Sequence, residues 1–260
     1  MIEISKKITT NVGRTNAQFG LIKENDRIMI GFSGGKDSLT LLHTLNRMQK
    51  KAPFKFDFKA VTITYGMGEQ IEFLSNHCKE HGIEHEIIDT QIFDLAGEKI
   101  RKNSSFCSFF SRMRRGYLYT TALEQGYNKV ALGHHLDDAM ESYFMNLFYN
   151  GTMRTMPPKY KASNGLEVIR PLIFCRERQL RAFADSNEIR VIGDEACPGL
   201  RFDVKMPHAR AATKELLAKL EEQNPKIFVS MKAAFSNIQL PTFFYKDLKD
   251  IKLNIEDETI

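Results

Sequence analysis

The chain has 260 residues, 42% of them hydrophobic, which is enough to build the core of one large α/β domain. Its formal charge of +5 permits a polyanionic partner without demanding one, and no apolar run approaches the roughly 20 residues of a membrane span, which excludes a helical membrane-spanning class. Four cysteines in a chain this long do not make a disulfide framework, and Met-Ile-Glu-Ile-Ser-Lys-Lys at the start is no secretion signal, so the expectation is a cytoplasmic protein with free, metal-binding or catalytic thiols.

Residues 1–24 place Ile4, Ile8, Val12 and Phe19 at near-helical spacing, the pattern of an amphipathic helix packed ahead of the first strand. Residues 27–45 then read as strand, phosphate loop and helix. Ile28, Met29, Ile30 and Phe32 form the near-continuous apolar run of a strand buried on both faces, and Leu41, Leu42, Leu45 and Met48 recur at helical spacing. The period changes across Ser33-Gly34-Gly35-Lys36-Asp37-Ser38, where two glycines let backbone amides approach an anion and the helix, expected to begin at Asp37 or Ser38, aims its positive end at the same spot. A Walker loop needs glycine where this chain has Ile30 and Ser or Thr where it has Asp37, and the three spaced glycines of a dinucleotide fingerprint are missing too. Lys36, with the Ser33 and Ser38 hydroxyls and the loop amides, is suited to hold phosphates, and Asp37 to hold Mg²⁺.

Residues 58–64 read as the second strand, followed by Gly66-Met67-Gly68. Ile71, Phe73, Leu74 and Cys78 line a helix that stops at Gly82, and residues 85–88 form the third strand. Strands alternating with helices argue for an α/β fold, a doubly wound parallel sheet with flanking helices, whose functional groups collect at the C-terminal strand edge. Thr64 and its neighbours are candidates for adenine and ribose contact there. Residues 99–116 carry Lys99, Arg101, Lys102, Arg112, Arg114 and Arg115 without an acid, interleaved with Phe106, Phe109 and Phe110 around Cys107, a candidate nucleic-acid-binding stripe.

A helix through Tyr117, Leu118, Thr121, Ala122 and Leu123 ends at Gly126, and residues 129–132 form the fourth strand. It opens into Gly133-His134-His135-Leu136-Asp137-Asp138, which delivers two histidines and two acids to the same edge. One of the two aspartates fits a helix cap, and Gly133, His134 and Asp137 are taken as candidates for ATP contact and catalysis. Residues 166–170 read as a strand halted by Pro171, followed by a basic helix near Arg176, Cys197-Pro198 in a loop, and closing helices over 210–220 and 225–235, the second capped by Asn224 with Pro225 in its first position. Nothing marks a second domain. Residues 1–238 are expected to form one unit and 239–260 an acidic tail.

Ser33 to Ser38 resemble the signature of the ATP pyrophosphatase, or PP-loop, superfamily, which has the adenine nucleotide alpha hydrolase-like fold and splits ATP between its α and β phosphates. Together with Cys107, the Ser111-Arg112-Met113-Arg114-Arg115-Gly116 block, Leu132 to Asp138, Met156-Pro157-Pro158, Ile169-Arg170-Pro171-Leu172 and Cys197, they resemble the tRNA 2-thiocytidine biosynthesis branch over residues 5–238. The resemblance implies an ATP- and Mg²⁺-dependent tRNA sulfurtransferase that adenylates the C2 oxygen of an anticodon-loop cytidine and replaces it with sulfur. It also implies a homodimer, supplied with sulfur by a cysteine desulfurase or persulfide carrier. In the family three cysteines hold a 4Fe-4S cluster; Cys107 and Cys197 match the first and third, and Phe110 occupies the second position. Asp194 and Cys175 are the substitute ligands to consider, and a cluster-free persulfide route through Cys107 and Cys197 is the other reading. A nucleotide- or tRNA-binding protein that has lost sulfur transfer, or another PP-loop tRNA-modifying enzyme, are the alternative functions.

Overall fold

The computed structural model describes residues 2–99, 106–193, 198, 208–239 and 242. In chain order the elements are α1 (Lys6–Phe19), β1 (Arg27–Gly31), α2 (Lys36–Lys51), β2 (Asp57–Ile63), α3 (Glu72–Glu80), β3 (His85–Ile88), α4 (Ile92–Lys99), α5 (Phe106–Glu124), β4 (Lys129–Ala131), α6 (Leu136–Tyr149), β5 (Lys159–Lys161), β6 (Glu167–Ile169), α7 (Glu177–Ser186), α8 (His208–Gln223) and α9 (Ile227–Ala234). Local chemistry sets the ends of α1: the Ser5 hydroxyl accepts the Ile8 amide at its start, and Gly20 closes it in the left-handed conformation.

The strands form one sheet in the order β3-β2-β1-β4-β6-β5, parallel throughout except for β5 against β6. β1 lies inside, and its Ile28, Met29 and Ile30 are wholly buried. Because side chains alternate along a strand, Ile28 and Ile30 enter a core with Ile8, Leu42 and Phe183 from α1, α2 and α7, whereas Met29 enters the opposite core with Phe109, Phe110, Leu118 and Ala122 of α5. A smaller cluster of Leu136, Met140, Leu217 and Phe228 joins α6 to α8 and α9. From β1 the chain winds to β2 and β3 on one side and then to β4 on the other. The strand order therefore reverses between β1 and β4, leaving a crevice at their C-terminal ends.

The expected doubly wound sheet is present, with three local corrections. The edge strand β5 is antiparallel and spans only Lys159, Tyr160 and Lys161, too short and too charged to declare itself in the sequence, and its lysines suit a sheet edge. The arginine block belongs to α5, which starts at Phe106 rather than near Tyr117. The last helix starts at Ile227: Pro225 and Lys226 form a turn, in which the Lys226 amide donates to Asn224 Oδ1 at 3.1 Å. Among the described residues no helix is long and apolar enough to cross a membrane.

Candidate active site

The loop after β1 turns at Gly34, whose φ of +78° is open to glycine and strained for other residues. A Cβ there would also stand 2.7 Å from Ile192 Cδ1 and 2.9 Å from Leu74 Cδ2. Gly35 is the N-cap of α2, so the helix begins at Lys36, one residue earlier than expected, and the amides of Lys36, Asp37 and Ser38 have no acceptor within the helix. Ser38 Oγ donates to the Gly35 carbonyl at 2.9 Å and accepts from Ser33 Oγ at 3.2 Å, closing the loop on itself. These groups present hydroxyls, free amides and the positive end of a helix to the crevice.

Lys36 Nζ lies 3.3 Å from both Asp37 Oδ2 and Glu177 Oε1, in the first turn of α7. Burial works against its charge, but the two carboxylates prevail and hold its pKa above the ordinary lysine value. Burial pushes the Asp37 carboxyl up, against the pull of His135 and Lys36. Its Oδ1 is buried without a hydrogen bond, and His135 Nε2 is 3.8 Å away. A buried carboxylate oxygen left unpartnered beside a phosphate loop fits a Mg²⁺ ion, which takes one or two protein carboxylates and completes its shell with phosphates and water.

β4 brings its own loop to the same point. A Cβ on Gly133 would lie 3.1 Å from Asp37 C and from Ser38 N, so any larger residue would require the loop after β4 and the start of α2 to separate by a few tenths of an ångström. His134 accepts from Arg170 Nε at 3.3 Å, and burial, reinforced by Arg170, lowers its pKa to about 3, so the ring is neutral. His135, which sequence reasoning did not select, is buried and caps α6: its Nδ1 accepts the Asp138 amide at 3.4 Å, and Asp138 Oδ2 accepts the His135 amide at 3.0 Å. That leaves Nε2 facing Asp37 and Asp138. The clue in the sequence was the cap position three residues before Asp138.

Asp137, on the first turn of α6, makes its contacts to the start of α7. Its Oδ2 accepts the Glu177 amide at 2.7 Å, and Arg176 Nε lies 3.1 Å from Oδ1. Arg176 in turn donates twice to Glu221, both at 2.7 Å, and lies 3.4 Å above the Phe228 ring centre. Both carboxylate oxygens of Asp137 are thus engaged in seating α7, which in turn sets Glu177 beside Lys36. Burial opposes the Glu177 charge, but Lys214 and Lys36 outweigh it and lower its pKa to about 2.

Next to the loop opens a cleft of about 590 Å³ bounded by Ser33, Gly35, Thr64, Tyr65, Phe73 and Ile192, within the size range of small-molecule sites. The Thr64 side chain is buried and accepts the Thr90 amide at 3.0 Å, its own amide donates to the Ile88 carbonyl at 3.0 Å and its carbonyl accepts the Thr90 hydroxyl at 2.7 Å, so Thr64 shapes this wall of the cleft by tying β2 to the loop after β3. Arg114 lines the cleft, its guanidinium 4.8 Å from the Tyr65 ring centre and its Nη1 donating to the Tyr65 hydroxyl at 2.9 Å. Arg112 and Arg115 lie elsewhere on α5, beside a concavity of about 210 Å³ shared with Tyr119, Tyr160 and Asn164. The basic block is therefore split between two sites.

Cys107 sits in the first turn of α5, while Cys197, Asp194 and most of the 239–260 tail lie outside the described residues. Phe110 is buried, with Tyr65, Phe93 and Phe109 rings packed around it. Cys175 is buried in the core on the other face of the sheet, and burial pushes its thiol up to about 12. Phe109 and Phe110, which follow Cys107 on α5, pack in the opposite core, so the sheet lies between them and Cys175.

A family model described as a PP-loop domain matches residues 4–205. The chain is 44% identical over 237 residues to the tRNA-cytidine(32) 2-sulfurtransferase of Geobacter metallireducens, covering 90% of each chain. It is 37% identical to that of Pseudomonas syringae pv. syringae, covering 99% of this chain and 93% of the relative. In fold it is similar to the U34-tRNA thiolase NcsA from Methanococcus maripaludis, solved with its 4Fe-4S cluster, at a TM-score of 0.70 and 23% identity, covering 89% of this chain and 77% of the other. With the phosphate loop at the β1–β4 crevice and relatives of this identity along nearly the whole chain, the protein belongs to the tRNA 2-thiocytidine biosynthesis family of PP-loop enzymes.

Proposed function

We propose that the chain is an ATP-dependent tRNA sulfurtransferase that adenylates the C2 oxygen of an anticodon-loop cytidine and replaces it with sulfur. The observation that carries this reading is the phosphate loop at the strand-order reversal, with free amides, Lys36 and the unpartnered Asp37 oxygen beside a nucleotide-sized cleft. The cytidine oxygen attacks the α-phosphorus, the bond to the β-phosphate bridge breaks, and pyrophosphate leaves on the loop amides, the Ser33 and Ser38 hydroxyls and Lys36. A carbonyl oxygen leaves poorly by itself. Joined to AMP, it is displaced by a sulfur nucleophile with its oxygen retained in the AMP.

Asp37 would hold the Mg²⁺, which shields the charge of the departing pyrophosphate. Gly133, by letting β4 approach α2, and neutral His134 belong to the wall of this site rather than to its proton chemistry. Arg112 and Arg115, exposed or half-exposed beside Tyr119 and Tyr160, suit the phosphates and an unstacked base of a tRNA loop. Arg114 bridges that helix to the ATP cleft. Cys107 and Cys197 are the thiols of sulfur transfer: the outer sulfur of a persulfide on one attacks C2 as AMP leaves. The thiolate of the other attacks the inner sulfur, releasing the thiocarbonyl and leaving a disulfide that an external dithiol reduces. A cluster on them would need a further ligand, for which Asp194 is the candidate. A desulfurase or persulfide carrier as sulfur donor, a homodimer, residues 1–238 as one functional unit, and the cytoplasm as its compartment complete the reading. Buried free Cys78 and Cys175 agree with a reducing compartment.

The test is nucleoside mass spectrometry of tRNA incubated with the protein, ATP, Mg²⁺ and a persulfide donor. The native chain should yield 2-thiocytidine, and Lys36→Ala should yield none while retaining the native melting temperature within a few degrees. Equal product from both proteins would sink the assignment of the loop.

A further inference from the structure

Behind the nucleotide cleft, on the face of the sheet that carries α2, α3 and α7, three imidazoles converge. His43 projects from α2, His77 from α3, and His81 is the C-cap of α3. One ring nitrogen of each lies within 4.8 Å of the other two, and the Nε2 atoms of His43 and His77 are 2.7 Å apart. Ring centres are 4.7 to 5.0 Å apart, with the planes steeply inclined. His43 is 4% exposed, below the Phe183 ring, while His77 and His81 are half-buried and open the cluster to solvent.

Packing alone explains part of this arrangement. A neutral pair sharing one N–H accounts for His43 and His77, and rings set edge to face are favourable. It leaves the third ring unexplained, since among the described residues the His81 ring nitrogens have no hydrogen-bonding partner. Histidines four residues apart along a helix, met by one from a neighbouring helix, supply three nitrogen donors on one side of a point, with a fourth direction free for water or the exposed Glu80 beside His77. Imidazole donors alone favour the later divalent transition metals over Mg²⁺ or Ca²⁺, which prefer oxygen.

We propose that His43, His77 and His81 form a binding site for one structural divalent transition-metal ion of the Zn²⁺ class, separate from the ATP site and from Cys107 and Cys197. With metal–nitrogen bonds of about 2.0–2.1 Å, tetrahedral ligation sets the nitrogens about 3.3 Å apart, so His43 and His77 open by roughly 0.6 Å through side-chain rotation. The site lies seven residues into α2, about 10 Å beyond the phosphate loop at 1.5 Å per residue. The same two helices meet at the cleft. α2 starts at the loop, and Leu74 of α3 touches the point where a Gly34 side chain would stand, while Phe73 lines the cleft. An ion held between α2 and α3 therefore fixes the spacing of the loop and the cleft wall.

The experiment titrates the full chain, stripped with a chelator and dialysed, with ZnCl₂ and separately with CoCl₂. The readouts are bound metal by elemental analysis, visible absorption and thermal melting. Native protein and a Cys107→Ser, Cys197→Ser variant should each bind one ion at the cluster, melt several degrees higher with Zn²⁺, and give that Co²⁺ site visible bands without sulfur charge-transfer absorption. His77→Gln with His81→Gln, both at half-buried positions, should fold, bind that ion at least tenfold more weakly, and lose the melting shift. Stoichiometry unchanged in the histidine variant, binding lost with the cysteines, or no Zn²⁺ binding and no melting shift in the native chain would each overturn the proposal.

Discussion

At Gly133 the limiting contact is a distance to backbone, and backbone atoms of a helix start cannot rotate away. Gly133→Ala should push β4 and α2 apart, destabilise the fold by about 1–3 kcal/mol as overpacking does, and raise KM for ATP about tenfold with a smaller change in kcat. Thermal melting and pyrophosphate exchange kinetics check both; an unchanged KM would mean that the loop does not depend on this contact. Phe110 offers the opposite case, a residue whose surroundings are aromatic rather than polar. Phe110→Cys should lose stability by about 2–4 kcal/mol as a large-to-small change in a core, and after anaerobic purification it should contain more iron than the parent if Cys107 and Cys197 are cluster ligands. Equal, negligible iron in both, with activity supported by a persulfide donor, decides for the thiol pair.

At the scale of elements, α7 is held by charge as much as by packing. Asp137 joins its N-terminus to α6, and Arg176 joins it to α8 through Glu221. Asp137→Asn should therefore lower the melting temperature markedly, because it weakens a partly buried pair whose disruption costs on the order of 3 kcal/mol. Below the transition, AMP formation should remain within about tenfold of the parent; complete loss in a well-folded variant would restore Asp137 to the chemistry. On α5, Arg112→Gln with Arg115→Gln should weaken tRNA binding and reduce the slope of log K against log salt by about 1–2, since each phosphate the protein no longer neutralises keeps about one counterion. An unchanged slope would make these arginines structural. Helices and strands with a clean period were legible from residues alone: residues 85–88 coincide with β3, and the Gly34-Gly35 turn stands where the period changed. What stayed hidden were elements whose identity depends on partners, such as β5, which exists because β6 lies beside it, and the roles of Asp137 and His135, which are fixed by residues 3 to 40 positions away.

Across the whole molecule, the reversal of strand order makes two loops that are almost 100 residues apart in sequence into one site. Their meeting was foreseeable from the alternation of strands and helices, because every parallel strand ends on the same edge; how closely they meet was not, since it rests on the missing Cβ of Gly133. The central claim is that ATP binds at this edge to convert a carbonyl oxygen into part of a leaving group. A tRNA carrying ¹⁸O at C2 of the target cytidine, incubated with the protein, unlabelled ATP, Mg²⁺ and a persulfide donor, tests it by mass spectrometry of the released nucleotides. The account predicts one ¹⁸O atom in AMP for each 2-thiocytidine formed, and none in pyrophosphate. Unlabelled AMP alongside thiolated tRNA, or ATP cleaved to ADP, would contradict it.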